Sequence, residues 1–113
     1  MGRPTKSRVI CSEPEINTFG PFNTNNGLYV YMSLEEYEVI RLIDFEGLNQ
    51  EECAYFMGVA RTTIQRIYDN ARKKLAMALV GGKTIKIEGG NYILCNKKCN
   101  KINCCRFNIK KNC

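Results

Sequence analysis

The sequence predicts a mostly α fold with small β elements: a three-helix helix-turn-helix domain with an N-terminal strand and a C-terminal β-hairpin (winged-helix-like), followed by a Cys-rich tail. Three observations support this prediction. Capping-box patterns at Ser33–Glu36 and Asn49–Glu52 mark two helix starts. Apolar residues recur at helical spacing after each start and again from Ile64 onward. A Gly-Gly pair at 81–82 interrupts the helical pattern, and β-prone residues follow it.

Length and composition indicate one compact domain with a short appendage, because the chain has 113 residues, 44% hydrophobic and 25% charged. We divide it into a basic arm and loop at 1–27, the helix-turn-helix domain with flanking strands at 28–94, and a Cys- and Lys-rich tail at 95–113. The chain has no apolar run near the ~20 residues that span a bilayer and no signal-peptide pattern. A cytoplasmic protein without a membrane partner is therefore expected.

The first predicted elements follow the arm in order. Residues 1–27 contain all three prolines, which predicts an extended arm and loop. Leu28–Met32 is rich in aromatic and β-branched residues and predicts a strand. The first helix is expected to begin after Ser33 and to end at Gly47, where glycine suits a left-handed cap.

The remaining elements complete the predicted domain. Asn49 caps a second helix that stops at Gly58, and a third helix runs from near Ala60–Arg61 to about Val80. Ala60 is a weaker N-cap than Ser or Thr, at a cost of about 1 kcal/mol. Residues 84–94, centred on Glu88-Gly89-Gly90, predict a hairpin that serves as a wing or pairs with the first strand.

Residues 50–68 carry the helix-turn-helix pattern. Ala54 is small enough for two helices to approach closely, and Gly58 permits a turn with positive φ. The expected core positions between the helices are Cys53, Met57, Val59, Ile64 and Ile67. The polar residues expected on or near the exposed face of the third helix are Arg61, Thr62, Thr63, Gln65 and Arg66.

That polar face suits double-stranded DNA. Arginine can donate two hydrogen bonds to guanine, glutamine can pair with adenine, and threonine can contact phosphate or a thymine methyl group. Charge is asymmetric in a way that fits a polyanion partner: residues 9–52 hold nine acids and one base, whereas residues 53–113 hold thirteen bases and two acids. The expected phosphate contacts on the third helix are Arg72, Lys73 and Lys74. An N-terminal arm with Arg3, Lys6 and Arg8 is either a minor-groove contact or a solvated terminus.

The cysteines suggest a second kind of chemistry. Cys95, Cys99, Cys104, Cys105 and Cys113 are candidate thiolate ligands for zinc or an iron–sulfur cluster, and free or redox-labile thiols are the alternative. Cys53 is expected to be a core residue, whereas Cys11 is an extra ligand or has no role. The chain has no histidine and shows no phosphate-binding glycine motif, so enzymatic activity is not expected.

Several short blocks also resemble a known family over residues 2–95. They include Gly2-Arg3-Pro4, Phe19-Gly20-Pro21, Gln50-Glu51-Glu52-Cys53-Ala54, Met57-Gly58-Val59-Ala60-Arg61-Thr62-Thr63 and Ile87-Glu88-Gly89-Gly90-Asn91-Tyr92. These blocks are similar to the uncharacterised prokaryotic family of predicted DNA-binding proteins known as domain of unknown function 134. The resemblance implies a helix-turn-helix similar to the fourth region of sigma factors, which binds promoter DNA in the major groove, with matching positions at 61–66.

The sequence therefore predicts sequence-preferring binding of duplex DNA and transcriptional regulation, with the helix near 61–80 in the major groove. A homodimer is expected because half-sites usually occur in pairs. Two alternatives remain open at this point: a metal- or redox-responsive regulator gated by the Cys-rich tail, and an adaptor that binds protein or RNA.

Overall fold

The computed structural model describes residues 7–22 and 27–94. About half of these residues are helical, and the strands are short. In chain order the elements are β1 Arg8–Ile10, β2 Thr18–Phe19, β3 Tyr29–Met32, α1 Leu34–Ile40 with a π-helical turn Arg41–Phe45, α2 Gln50–Met57, α3 Arg61–Gly81, β4 Thr84–Ile87 and β5 Tyr92–Leu94. The three predicted helices and the small β elements are confirmed for this part of the chain.

Both predicted capping boxes are present. The Ser33 hydroxyl accepts a hydrogen bond from the Glu36 amide at 3.2 Å, and the Glu36 carboxylate accepts from the Ser33 amide at 2.9 Å. Asn49 and Glu52 repeat the arrangement at 2.8 and 3.0 Å. These reciprocal bonds satisfy amides that the first turn of a helix leaves without a helical partner, which explains why local sequence locates both helix starts.

The predicted hairpin at 84–94 is wrong. β4 is the central strand of a three-stranded sheet, antiparallel to β2 and parallel to β3, while β5 pairs in parallel with β1. The chain between β4 and β5 is bound to the start of α1, since the Leu34 amide donates to the Gly89 carbonyl at 2.9 Å. This attachment directs the chain toward β1, so β4 and β5 do not pair with each other. β4 instead pairs with β3, the first predicted strand, which was the alternative to a wing.

β1 and β2 lie within the region that the sequence analysis treated as arm and loop. They have three and two residues, which is too short for an alternating pattern to be recognised. β1 nevertheless contributes to the core, because Ile10 is fully buried. β1 pairs with β5, the last strand, so this pairing joins the two ends of the described chain.

A single hydrophobic core lies between the three helices and the sheets. Its largest fully buried apolar side chains belong to β1 and to every helix, namely Ile10, Val39, Leu42, Cys53, Met57 and Ile64. The core places α3 against α1 and α2. In the described residues no helix is long and apolar enough to cross a membrane.

Candidate nucleic-acid interface

The connection between α2 and α3 has the predicted tight geometry. Gly58 adopts a left-handed conformation with φ 71°, and the Val59 amide donates to the Ala54 carbonyl at 3.1 Å. A non-glycine residue would be strained at that φ. Ala54 is buried beneath the turn. The glycine and the small residue therefore set the angle at which α3 leaves α2.

One side of α3 is buried and holds the helix in place. Ile64, Ile67 and Ala71 are at most 2% exposed, and they face Cys53 and Met57 of α2, both fully buried. Four of the five predicted core positions of the helix-turn-helix are thus confirmed as buried. The fifth, Val59, is partly buried and packs against this core.

The opposite side of α3 presents the polar residues expected for DNA reading. Arg61, Thr62, Gln65 and Arg66 are exposed, and Thr63 is half-buried. The Arg61 guanidinium donates to the Gln50 side-chain oxygen at 3.0 Å and to the Gln65 side-chain oxygen at 3.4 Å. Arg61 therefore bridges the first turn of α2 and the second turn of α3. Local sequence does not reveal Gln50 as a positioning residue, because its contact is eleven residues away in the chain.

The N-terminus of α3 is electropositive and lacks a side-chain cap. Ala60 occupies the N-cap position with extended backbone angles, no side-chain cap bond is formed, and no acid lies in the first turn. Partial positive charge collects at a helix N-terminus. Here it is adjacent to the exposed Arg61. The predicted weak cap is confirmed, and it leaves this end of the helix suited to an anion.

Further along α3, one predicted phosphate contact is held in a defined orientation. The Arg72 guanidinium lies 3.5 Å from the Asp44 carboxylate and 5.2 Å from the centre of the Tyr68 ring. The Tyr68 hydroxyl donates to Asp44 at 2.7 Å. Desolvation, followed by this hydrogen bond, raises the pKa of Tyr68, so the hydroxyl stays protonated near neutral pH.

The next two bases differ in availability. Lys73 is exposed on α3. Lys74 is half-buried, and its ammonium group contacts the Glu36 carboxylate at 2.8 Å, so it joins α3 to α1. The predicted phosphate contact of Lys74 therefore competes with its ion pair to Glu36, whereas Arg72 and Lys73 keep their predicted position on the surface.

The basic N-terminal arm needs one correction. Arg8 was predicted to lie in a minor-groove contact or in a solvated terminus, yet it is 4% exposed in β1 and its Nε lies 3.6 Å from the Glu35 carboxylate. It belongs to the packing between β1 and α1, because a guanidinium this deeply buried cannot reach a ligand on the surface. Arg3 and Lys6 lie outside the described residues.

The cysteine chemistry is represented only by two residues in the described chain. The five tail cysteines, Cys95 to Cys113, lie outside it. Cys11 is half-buried. Cys53 is buried as predicted, its Sγ lies 3.7 Å from the Met57 Sδ, and burial raises its pKa to about 12. Within residues 7–22 and 27–94 no group of three or more His, Cys, Asp or Glu residues is arranged to hold a metal.

Comparison with known proteins gives a family without an assigned activity. The family described as Protein of unknown function DUF134 matches residues 1–95. A UPF0251 protein of Desulfitobacterium hafniense (strain DSM 10664 / DCB-2) is 58% identical over 98 residues, which cover 85% of this chain and 78% of that protein. A UPF0251 protein of Caldicellulosiruptor bescii is 50% identical over 104 residues, covering 92% and 74% respectively. No solved structure gives a significant match.

Proposed function

The chain belongs to the family described as Protein of unknown function DUF134, and we propose that it is a transcriptional regulator that binds duplex DNA with sequence preference. In this proposal α2 and α3 form a helix-turn-helix similar to the fourth region of sigma factors, and α3 enters the major groove. The supporting observation is the exposed polar face of Arg61–Arg66, which has no acid and lies opposite the buried Ile64–Ile67 side of the same helix.

The residues on this face have the hydrogen-bonding groups that base reading requires. Arg61 and Arg66 each carry a fork of donors that matches guanine O6 and N7, and the Gln65 amide matches adenine N6 and N7. Each such bidentate pair discriminates against a wrong base by about 1–3 kcal/mol. Because Arg61 is already tied to Gln50 and Gln65, its side chain is ordered before DNA arrives. Pre-ordering reduces the entropy lost on binding.

Contacts to the DNA backbone would position this face. The first-turn amides of α3 and the Thr62 hydroxyl suit one phosphate, as helix N-termini commonly bind anions. Arg72 and Lys73 are exposed two turns further along the helix and suit neighbouring phosphates. These contacts fix register on the duplex but carry no sequence information, so specificity rests on the first two turns.

Selection of bound duplexes from a random DNA pool tests the proposal, with the full chain purified without oxygen or chelator. The wild type is expected to enrich a motif, and Arg61→Ala/Arg66→Ala is expected to lose it. Arg66→Lys keeps the charge but removes the donor fork, so it should retain affinity while losing preference at one base pair. Lys86→Ala removes a base from β4 and should enrich the wild-type motif.

Two outcomes would contradict the proposal. Enrichment that is the same in Arg61→Ala/Arg66→Ala would show that α3 does not read the bases. Binding that is weak and independent of sequence, together with tight binding of a protein or RNA partner, would favour the adaptor alternative.

A further inference from the structure

The second half of α3 differs from the first in being apolar on nearly all sides. Residues 75–82 contain no charged or hydrogen-bonding side chain. Leu75 and Ala78 face the molecule, whereas Leu79 and Val80 are 83% and 86% exposed. A helix that is apolar all round is normally covered on every side. The outer side of this segment is not covered by any described part of the chain.

An apolar groove of about 440 Å³ lies beside the exposed residues. Its walls come from β2 and the residues after it, from α3 and from β4, through Phe19, Pro21, Leu75, Ala78, Leu79 and Ile85. Leu79 and Val80 form a ridge next to this groove. A ridge beside a groove on one surface is self-complementary, since a two-fold axis places each ridge over the groove of the other copy.

From this surface we propose that the protein forms a two-fold dimer, in which the ridge of Leu79 and Val80 docks in the groove of a second copy. The surface is large enough for such a contact. Phe19, Met77, Leu79 and Val80 are 46–86% exposed, and Phe22, beside the groove wall at Pro21, is 97% exposed. Together these side chains offer on the order of 600 Å². Each partner in a standard interface contributes about 800 Å², so a dimer that dissociates on dilution is expected.

The position of the ridge also suits paired DNA half-sites, an argument that rests on the proposed function. The centre of Arg61–Arg66 and the ridge are separated along α3 by about 24 Å at ~1.5 Å per residue. A two-fold axis through the ridge can therefore hold the two reading segments up to about 48 Å apart. One turn of DNA, about 34 Å, lies within that reach, and it is the spacing that paired half-sites use.

Sedimentation velocity of the full chain without DNA tests the dimer directly. The wild type is expected to show a concentration-dependent monomer–dimer equilibrium, and Leu79→Glu/Val80→Glu is expected to be monomeric, because buried carboxylates would oppose association. The matched control is Phe45→Glu, which places a carboxylate at a side chain that is 81% exposed in the π-helical turn. If Leu79→Glu/Val80→Glu unfolds at a lower temperature than the wild type, Leu79→Ser/Val80→Ser is used in its place.

A second measurement uses duplexes that carry the selected motif twice. The wild type is expected to bind motifs one turn apart about tenfold or more tightly than a single motif. An insertion of half a turn, or Leu79→Glu/Val80→Glu, should remove that gain while leaving binding to a single motif intact.

The results separate this inference from the proposed function. The proposed dimer would be overturned by a wild type that is monomeric at every concentration. It would also be overturned if Leu79→Glu/Val80→Glu dimerised as strongly as the control Phe45→Glu, whatever the DNA results. A dimer that enriches no DNA motif would instead leave this interface standing and overturn the proposed function.

Discussion

Charged side chains are used differently in α1 and in α3. In α1 and its π-helical turn they point inward or pair: Glu38 is 2% exposed, and Arg41 donates to both its carboxylate oxygens at 2.9 and 2.8 Å and to Glu46 at 3.2 Å. In α3 the bases Arg66 and Lys73 face solvent. The buried acids Glu36 and Glu38 therefore serve the interior, while the exposed bases of α3 lie on the surface.

This difference explains why total charge is a poor guide to the partner. A net charge of +6 is modest for 113 residues. However, several acids are held by Arg8, Arg41 and Lys74 inside the domain. The exposed face at the start of α3, residues 61–66, carries Arg61 and Arg66 and has no acid of its own, so its own charge is positive.

The largest effect on stability is expected for Arg41→Met, which tests this comparison of α1 with α3. It removes the partner of the buried Glu38 carboxylate, and we expect the free energy of unfolding to fall by about 3–5 kcal/mol, because an uncompensated charge remains buried. The matched change in the basic region, Arg66→Met, should alter stability by no more than about 0.5 kcal/mol. Urea denaturation of both variants measures this.

A control separates lost charge compensation from lost packing. Glu38→Gln/Arg41→Met removes both charges, and it should be more stable than Arg41→Met alone. Equal instability of the two variants would show that the ion pair does not account for the loss.

An intermediate effect concerns the thiol of Cys53 next to this ion pair. Desolvation, and then the charge of Glu38, raises its pKa from 9.0 to about 12. A raised pKa in the folded protein stabilises the fold fully below pH 9 and loses that contribution as pH rises toward 12. Between these values the folding equilibrium should fall by up to about tenfold per pH unit more in the wild type than in Cys53→Ala.

Unfolding curves of both proteins recorded from pH 7 upward measure this difference, since tyrosine and lysine titration is common to the two. Parallel stability profiles above pH 9 would mean that the thiol ionises in the folded protein at its ordinary pKa.

The smallest expected effect is at the start of α3. Ala60 already has the extended backbone of an N-cap, so Ala60→Ser should supply a side-chain acceptor and stabilise the protein by about 1 kcal/mol or less. Thermal unfolding measures the gain, with Ala60→Val as a control that adds volume without an acceptor. An equal change in both variants would show that no cap bond forms.

Local signals predicted the helices well and the strands poorly. Ser33 and Asn49 each satisfy amides within their own first turn, and Gly58 is needed where the backbone takes a positive φ. Such features depend on a few neighbouring residues. By contrast, the Gly89-Gly90 pattern suits a hairpin. However, the Gly89 carbonyl and the Asn91 amide form hydrogen bonds with the start of α1, more than fifty residues earlier.

In the candidate interface, too, features set by local sequence were predicted and features set by distant contacts were not. The 3.6-residue period of α3 predicted that Ile64 is buried and Arg66 exposed, and both are confirmed. The inward position of Arg8 was not predicted, because its carboxylate partner comes from α1. The groove beside Leu79 was not predicted either, since its walls come from three separate elements.

The sequence by itself determined where the helices begin, where α2 ends and which side of the first turns of α3 is apolar, because these depend on hydrogen bonds and side-chain spacing within one or two turns. Only the tertiary structure decided how the strands pair, which charges are internal and where apolar surface remains uncovered. Those properties depend on contacts between distant segments, whose free energies arise only when the whole domain is assembled.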